Sequence, residues 1–136
     1  MSRYLAIIEE DAEQGAFFAS FPDAPGCVAD GATQDEVLDN AADALSEWVA
    51  DEVAEGRSAP LARSYAELLK SGDYGLGQGA MVAWVPLLLD TGKLVRANIS
   101  MDAGLLASID EAAGRRGVTR SAFLVSAARD KIRSGA

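Results

Sequence analysis

Two prolines three residues apart, in Phe21-Pro22-Asp23-Ala24-Pro25-Gly26-Cys27, constrain this chain more than any other local feature. Each fixes φ at about −65° and removes a backbone N–H, and Gly26 admits positive φ, so neither strand nor helix continues and the chain must bend. Before the bend, Tyr4 to Glu10 and Ala16 to Phe21 are rich in β-branched, aromatic and apolar residues, and Asp11 to Gly15 between them has hairpin-loop character. Two antiparallel strands are predicted there, with a third, short strand from Cys27 to Asp30 after the bend.

Thr33-Gln34-Asp35-Glu36 then places threonine and glutamate three apart, the pairing that satisfies free N–H groups at a helix start. Val37/Leu38, Ala41, Ala44/Leu45, Trp48/Val49 and Val53 recur at helical spacing, and Gly56 is the expected cap. Pro60 is read as opening a short helix through Ala66–Lys70, ahead of glycines at 72, 75, 77 and 79. Ala80 to Leu89 is read as another buried strand, with Pro86 at an edge or end. The order β-β-β-α, linking segment, β predicts an α+β layer with one sheet face covered by the main helix.

Asp90-Thr91-Gly92 marks the expected boundary between two domains, 1–90 and 93–136. Beyond it Val95, Ala97, Ile99 and Met101 alternate with Arg96, Asn98 and Ser100, which predicts a strand. Asp102 is placed to cap a helix carrying Leu105, Leu106, Ile109, Ala112 and Ala113 on one stripe and ending at Arg116-Gly117. Val118-Thr119-Arg120-Ser121 opens a second helix through about Arg133. A strand–helix–helix of 44 residues is close to the size at which a lone core rarely suffices, so dimerisation is expected.

The chain of 136 residues has no histidine, which removes the commonest general base and zinc ligand and the hydrolases that depend on imidazole. Cys27 is the sole cysteine, so no internal disulfide or thiolate metal site can form, and a reducing, cytoplasmic setting fits. Met1-Ser2-Arg3-Tyr4 enters a strand without a signal-like apolar core, and the longest apolar run is too short to span a bilayer; no membrane association is expected. Gly75-Leu76-Gly77-Gln78-Gly79-Ala80 formally satisfies a dinucleotide fingerprint, but a strand follows where a helix is needed, so it is read as a flexible loop. Carboxylates at Glu9, Glu10, Asp11, Asp23 and Asp30 are of the type a two-metal nuclease site uses, yet nothing in their spacing demands one. No catalytic residue, metal or cofactor is therefore expected.

Charge is divided along the chain. From Lys93 onward eight bases meet four acids, a balance of +4, whereas residues 1–92 hold four bases and 17 acids, −13. Such asymmetry indicates a polyanion as partner for the tail and a basic partner for the body. On the main helix Asp35, Asp39, Asp43, Glu47, Asp51 and Glu55 form an unbroken i, i+4 row of like charges, each pair costing a few tenths of a kcal/mol. Asp35, Asp39, Asp43 and Glu47 are accordingly candidate residues for docking that basic partner. In the tail, Arg96, Asn98 and Ser100 project from the strand face opposite the helices, and two such strands paired across a dimer axis make a ribbon that fits a DNA major groove. Arginine suits guanine and asparagine suits adenine. Lys93, Thr119, Arg120 and Ser121, with the amides that start the second helix, complete the candidate DNA-binding set through backbone phosphates.

Two stretches resemble known families. Tyr4…Ile8-Glu9, Phe21-Pro22-Asp23-Ala24-Pro25-Gly26-Cys27, Gly31-Ala32-Thr33-x-x-Glu36 and Asn40-Ala41…Ala44-Leu45 make residues 1–90 similar to the N-terminal domain of HicB-type antitoxins. Residues 93–136 resemble a ribbon–helix–helix DNA-binding domain, one of the C-terminal modules of that family. The resemblance implies a partial RNase H-like fold without nuclease activity and a cognate HicA toxin, a small basic ribonuclease that the antitoxin covers. It also implies an operator of the chain's own genes, read through Arg96, Asn98 and Ser100 by a dimer or tetramer. Two rivals stand beside it: a stand-alone ribbon–helix–helix repressor whose N-terminal domain binds a ligand or oligomerises, and a metal-dependent nuclease using Asp11 or Asp23.

Overall fold

The double-proline bend forms as two successive tight turns. Ala24 N donates to Phe21 O at 3.2 Å and Cys27 N to Ala24 O at 3.0 Å. Gly26 has a φ of 88°, as the third position of a type II turn that follows a proline requires. The computed structural model describes residues 2–72, 74–77, 79–89 and 93–134. The chain divides into two compact units, Met1–Leu89 and Asp90–Ala136.

The first unit carries β1 (Arg3–Asp11), β2 (Ala16–Ser20), β3 (Val28–Gly31), α1 (Gln34–Ala54), α2 (Tyr65–Ser71) and β4 (Met81–Pro86). Its sheet has the order β3-β2-β1-β4, with each neighbouring pair antiparallel. At the β1–β2 hairpin, Asp11 Oδ1 accepts from Glu13 N at 3.1 Å and Gln14 N at 3.2 Å, so this carboxylate shapes the turn. Alternation sends Tyr4, Ala6 and Ile8 of β1, Ala19 of β2 and Val85 of β4 to one face. There they join Phe21, Ala24 and Cys27 and the Val37, Ala41, Leu45 and Val49 stripe of α1 in one buried cluster. Thr33 caps that helix as expected, its Oγ1 accepting from Glu36 N at 3.1 Å.

The opposite face departs from the sequence expectation. Leu5 and Ile7 are also buried, against Leu68 of α2 and Leu76, with Tyr74 and Val82 alongside. The glycine-containing segment read as a flexible loop thus delivers Leu76 to a second small core, although Asp73 and Gln78 lie outside the described residues. The short helix starts at Tyr65 rather than near Pro60, because Ser64 caps it, accepting from Glu67 N at 3.2 Å. Pro60 instead supplies a carbonyl that accepts from the Tyr4 hydroxyl at 2.6 Å.

The second unit holds α3 (Ala103–Arg116) and α4 (Arg120–Ser134). Asp102 Oδ2 accepts from Gly104 N at 2.8 Å and Leu105 N at 3.2 Å, and Val118 N closes the other end on Ala113 O at 3.0 Å. Ile109 and Ala113 are buried on α3, and no described residue of α4 is. The strand predicted over 94–101 is not formed in the single chain: residues 93–102 adopt neither helix nor ladder. The physical reason is that a strand needs a neighbour for its N–H and C=O groups, and the described sheet consists of β1 to β4 alone.

Gly31 is where β3 hands over to α1. A Cβ added there would lie 2.5 Å from Val37 N and 2.9 Å from Val37 Cα, both backbone atoms that cannot swing aside. Gly31→Ala is expected to destabilise the first unit by about 2 kcal/mol or more through overpacking, measured as a lower urea midpoint at unchanged slope.

Candidate protein and nucleic-acid interfaces

Two of the carboxylates weighed for a metal site, Asp11 and Asp23, have other employments. Asp11 holds the hairpin turn. Asp23, whose side chain is only 5% exposed, accepts from Arg63 N at 2.9 Å and Arg63 Nε at 2.6 Å. Arg63 Nη2 also donates to the Tyr74 hydroxyl at 3.3 Å, and its guanidinium stands 5.9 Å from that ring's centroid. Asp23 bonding, with the Tyr74 contact second, raises the arginine's pKa further, and burial together with the Asp23 charge raises that of the Tyr4 hydroxyl. Asp23 therefore ties the double-proline bend to the segment leading into α2, a contact 40 residues apart that spacing does not reveal. Glu9 and Asp30 sit on the outer sheet face, each paired across from Phe18. Among the described residues no group of three or more acids or cysteines could hold a metal ion.

Cys27 is buried in the α1-facing core, and burial pushes its thiol up to about 11. It behaves there as a small apolar side chain.

The structure presents the acidic row as one exposed face. Asp35, Asp39, Asp43 and Glu47 are all exposed on α1, opposite the stripe that meets the sheet. Glu52, off that row, bonds Arg57 through two contacts of 2.7 and 3.0 Å, and this pairing lowers the carboxyl's pKa. No base falls within the row itself. Asn40, on the same helix, donates from Nδ2 to Asp30 O at 2.8 Å and so covers an outward carbonyl of edge strand β3.

In the second unit Lys93, Arg96, Asn98 and Ser100 are all exposed. The apolar residues interleaved with them are exposed too, Leu94 at 97%, Val95 at 82% and Ile99 at 65%. Thr119 caps α4, its Oγ1 accepting from Ala122 N at 3.1 Å, and Ser121 is exposed in the first turn. Arg120, expected to meet a backbone phosphate, here meets Asp110 bidentately, at 2.8 Å on each oxygen. Asp110 was not singled out by the sequence pattern, since it lies ten residues away on the preceding helix. That bond raises the Arg120 pKa and lowers that of Asp110.

A sheet layer with one acid-faced helix, followed by a separate helix pair with open apolar residues, defines a two-unit protein organised around interaction surfaces. Residues 4–128 match the family model described as HicB_like antitoxin of bacterial toxin–antitoxin system, and the chain belongs to that family. The crystal structure of the Burkholderia pseudomallei antitoxin HicB is similar at 28% identity and a TM-score of 0.57, over 94% of this chain and 96% of that one. The antitoxin HicB3 structure is likewise 28% identical, with a TM-score of 0.50 over 96% and 98% of the two chains. A toxin–antitoxin complex from Streptococcus pneumoniae shares the fold at 18% identity and a TM-score of 0.53, over 95% and 97%. No curated protein sequence matches.

If Asp23 is a structural tie, Asp23→Asn should lower stability by about 1–3 kcal/mol, the range for a hydrogen bond to a charged group. Chemical denaturation of the variant checks this; an unchanged midpoint would remove the tie.

Proposed function

We propose that this chain neutralises a small basic mRNA-cleaving toxin of the HicA type by covering it, and represses its own operon as a dimeric ribbon–helix–helix protein. The toxin half rests on family membership together with the charge division: a −13 body attracts a basic partner and speeds association. Asp35, Asp39, Asp43 and Glu47 give α1 an exposed row of negative charge, and their role is to draw the toxin in. The first unit runs β-β-β-α-α-β, and its antiparallel sheet with α1 on one face is compatible with the partial RNase H-like fold that the resemblance implies. Among the described residues no helix is long and apolar enough to cross a membrane, and a cytoplasmic site of action suits both mRNA and operator.

The single observation that carries the DNA-binding half is the open segment of residues 93–101. Its Leu94, Val95 and Ile99 are exposed, it has no ladder partner among the described residues, and two properly capped helices follow it. Pairing with the same segment of a second copy would satisfy the backbone and bury Val95 and Ile99 on one face, leaving Arg96, Asn98 and Ser100 on the other to read bases. Lys93, Thr119 and Ser121 then face the phosphates, with Arg120 held in place by Asp110. A dimer also doubles the tail's +4, strengthening attraction to DNA.

Co-expression with the small reading frame beside the gene tests the toxin half, read as rescued growth and co-purification. A toxic neighbour that is neither bound nor neutralised would leave a stand-alone repressor. Arg96→Ala should cost about 1–3 kcal/mol at one operator position and little on random DNA; equal losses on both would refute base reading. Asp43→Lys with Glu47→Lys should slow toxin association by about tenfold at low salt, with the difference shrinking at high salt, as stopped-flow mixing would record.

A further inference from the structure

One half of the sheet has a face that no described residue of the first unit covers. On the α1 side the whole sheet is packed, and on the other side α2 and Leu76 cover β1 and β4. Over β2 and β3 the second face stays open, with Phe18 39% and Val28 66% exposed. Register explains the grouping: Ile7, Ser20 and Val28 lie in one cross-strand row, and Glu9, Phe18 and Asp30 in the next. These rows line a groove of about 490 Å³.

Its chemistry selects an occupant. Phe18 stands between two carboxylates on the same face, Glu9 and Asp30, and it also borders a recess lined by Glu10, Asp11 and Glu13. No lysine or arginine lines either depression. An apolar floor within a purely acidic rim fits a basic protein that offers an apolar or aromatic residue flanked by lysine or arginine, whose stems also pack on Phe18. A nucleic acid is repelled. A second copy of this chain is disfavoured as well, because a two-fold contact would set Glu9 and Asp30 against their own counterparts. Strand addition along β3 is obstructed where Asn40 already occupies the Asp30 carbonyl, so docking is through the face and not the edge.

The geometry points to this groove as the anchor for the basic toxin, with Phe18 and Val28 as the contact residues and α1 acting only at a distance. The inference rests on the antitoxin reading and locates the contact within it. Charge on α1 governs how often the partners meet, while the buried apolar contact governs how long they stay.

The test uses the full chain and the product of the neighbouring small reading frame, with binding kinetics recorded for wild type, Phe18→Ala, Val28→Arg and the α1 reversal of Asp43 and Glu47. Val28→Arg and Phe18→Ala should each raise the dissociation rate by about tenfold or more, while the α1 reversal leaves it within about twofold. Circular dichroism melts of the free variants ensure that a lost complex is not a lost fold; Val28, being exposed, is the variant of record. Tight wild-type binding with both groove variants unchanged would overturn the anchor while leaving the antitoxin reading intact. No wild-type binding would overturn both. A change in the toxin-free oligomeric state with Val28→Arg, measured by light scattering, would assign the groove to a second copy and likewise overturn it.

Discussion

A four-stranded sheet has two faces, and this unit has one long helix to cover them. Everything distinctive about the first unit follows from that shortage. The face against α1 is filled with small and medium side chains, Ala6, Ala19, Ala41 and Ala42 among them, which allow helix and sheet to approach closely. The approach is closest at Gly31, where the helix backbone occupies the space a side chain would need. The second face depends on a seven-residue helix and a glycine-containing segment, and their reach ends over β1 and β4. The uncovered remainder is a product of topology: α2 and the segment after it lead into β4, which pairs with β1, so they lie over that half of the sheet and not over β2 and β3.

The second unit faces a related deficit with a different outcome. Two helices with only Ile109 and Ala113 buried do not close a core, and the segment before them has no strand to lie beside. What is settled locally is therefore helix placement. Asp102 and Thr119 fix the starts, and the Arg120–Asp110 fork fastens the start of α4 to α3 across the intervening turn. Such an exposed fork contributes little stability. Its value lies in orientation, since two parallel bonds restrict rotation of one helix about the other.

Legibility in the sequence tracked the range of each interaction. Capping by Thr33 and Asp102, the double-proline bend and the stripe of α1 depend on residues within four or five positions of one another, and they were readable. The start of α2 was misplaced because Pro60 is a conspicuous helix opener, whereas the cap that decides is Ser64, and Pro60's carbonyl is claimed by Tyr4 from 56 residues away. The Asp23–Arg63 tie is not legible in the sequence, because Arg63 lies 40 residues away in a segment without periodicity. The strand expected at 94–101 has the right alternation, but alternation states a preference and pairing needs a second strand. The open groove was hidden for a similar reason: Phe17 and Phe18 are adjacent, and only the register decides which is sheltered by α1 and which faces outward.

The burial of Cys27 carries a consequence beyond packing. Peroxides and other oxidants attack thiolate, and a thiol pushed up to about 11 and enclosed by the sheet and α1 presents almost none of it at cellular pH. The chain has no other cysteine. Oxidants that act through thiolate consequently find little to attack at Cys27 while the first unit stays folded.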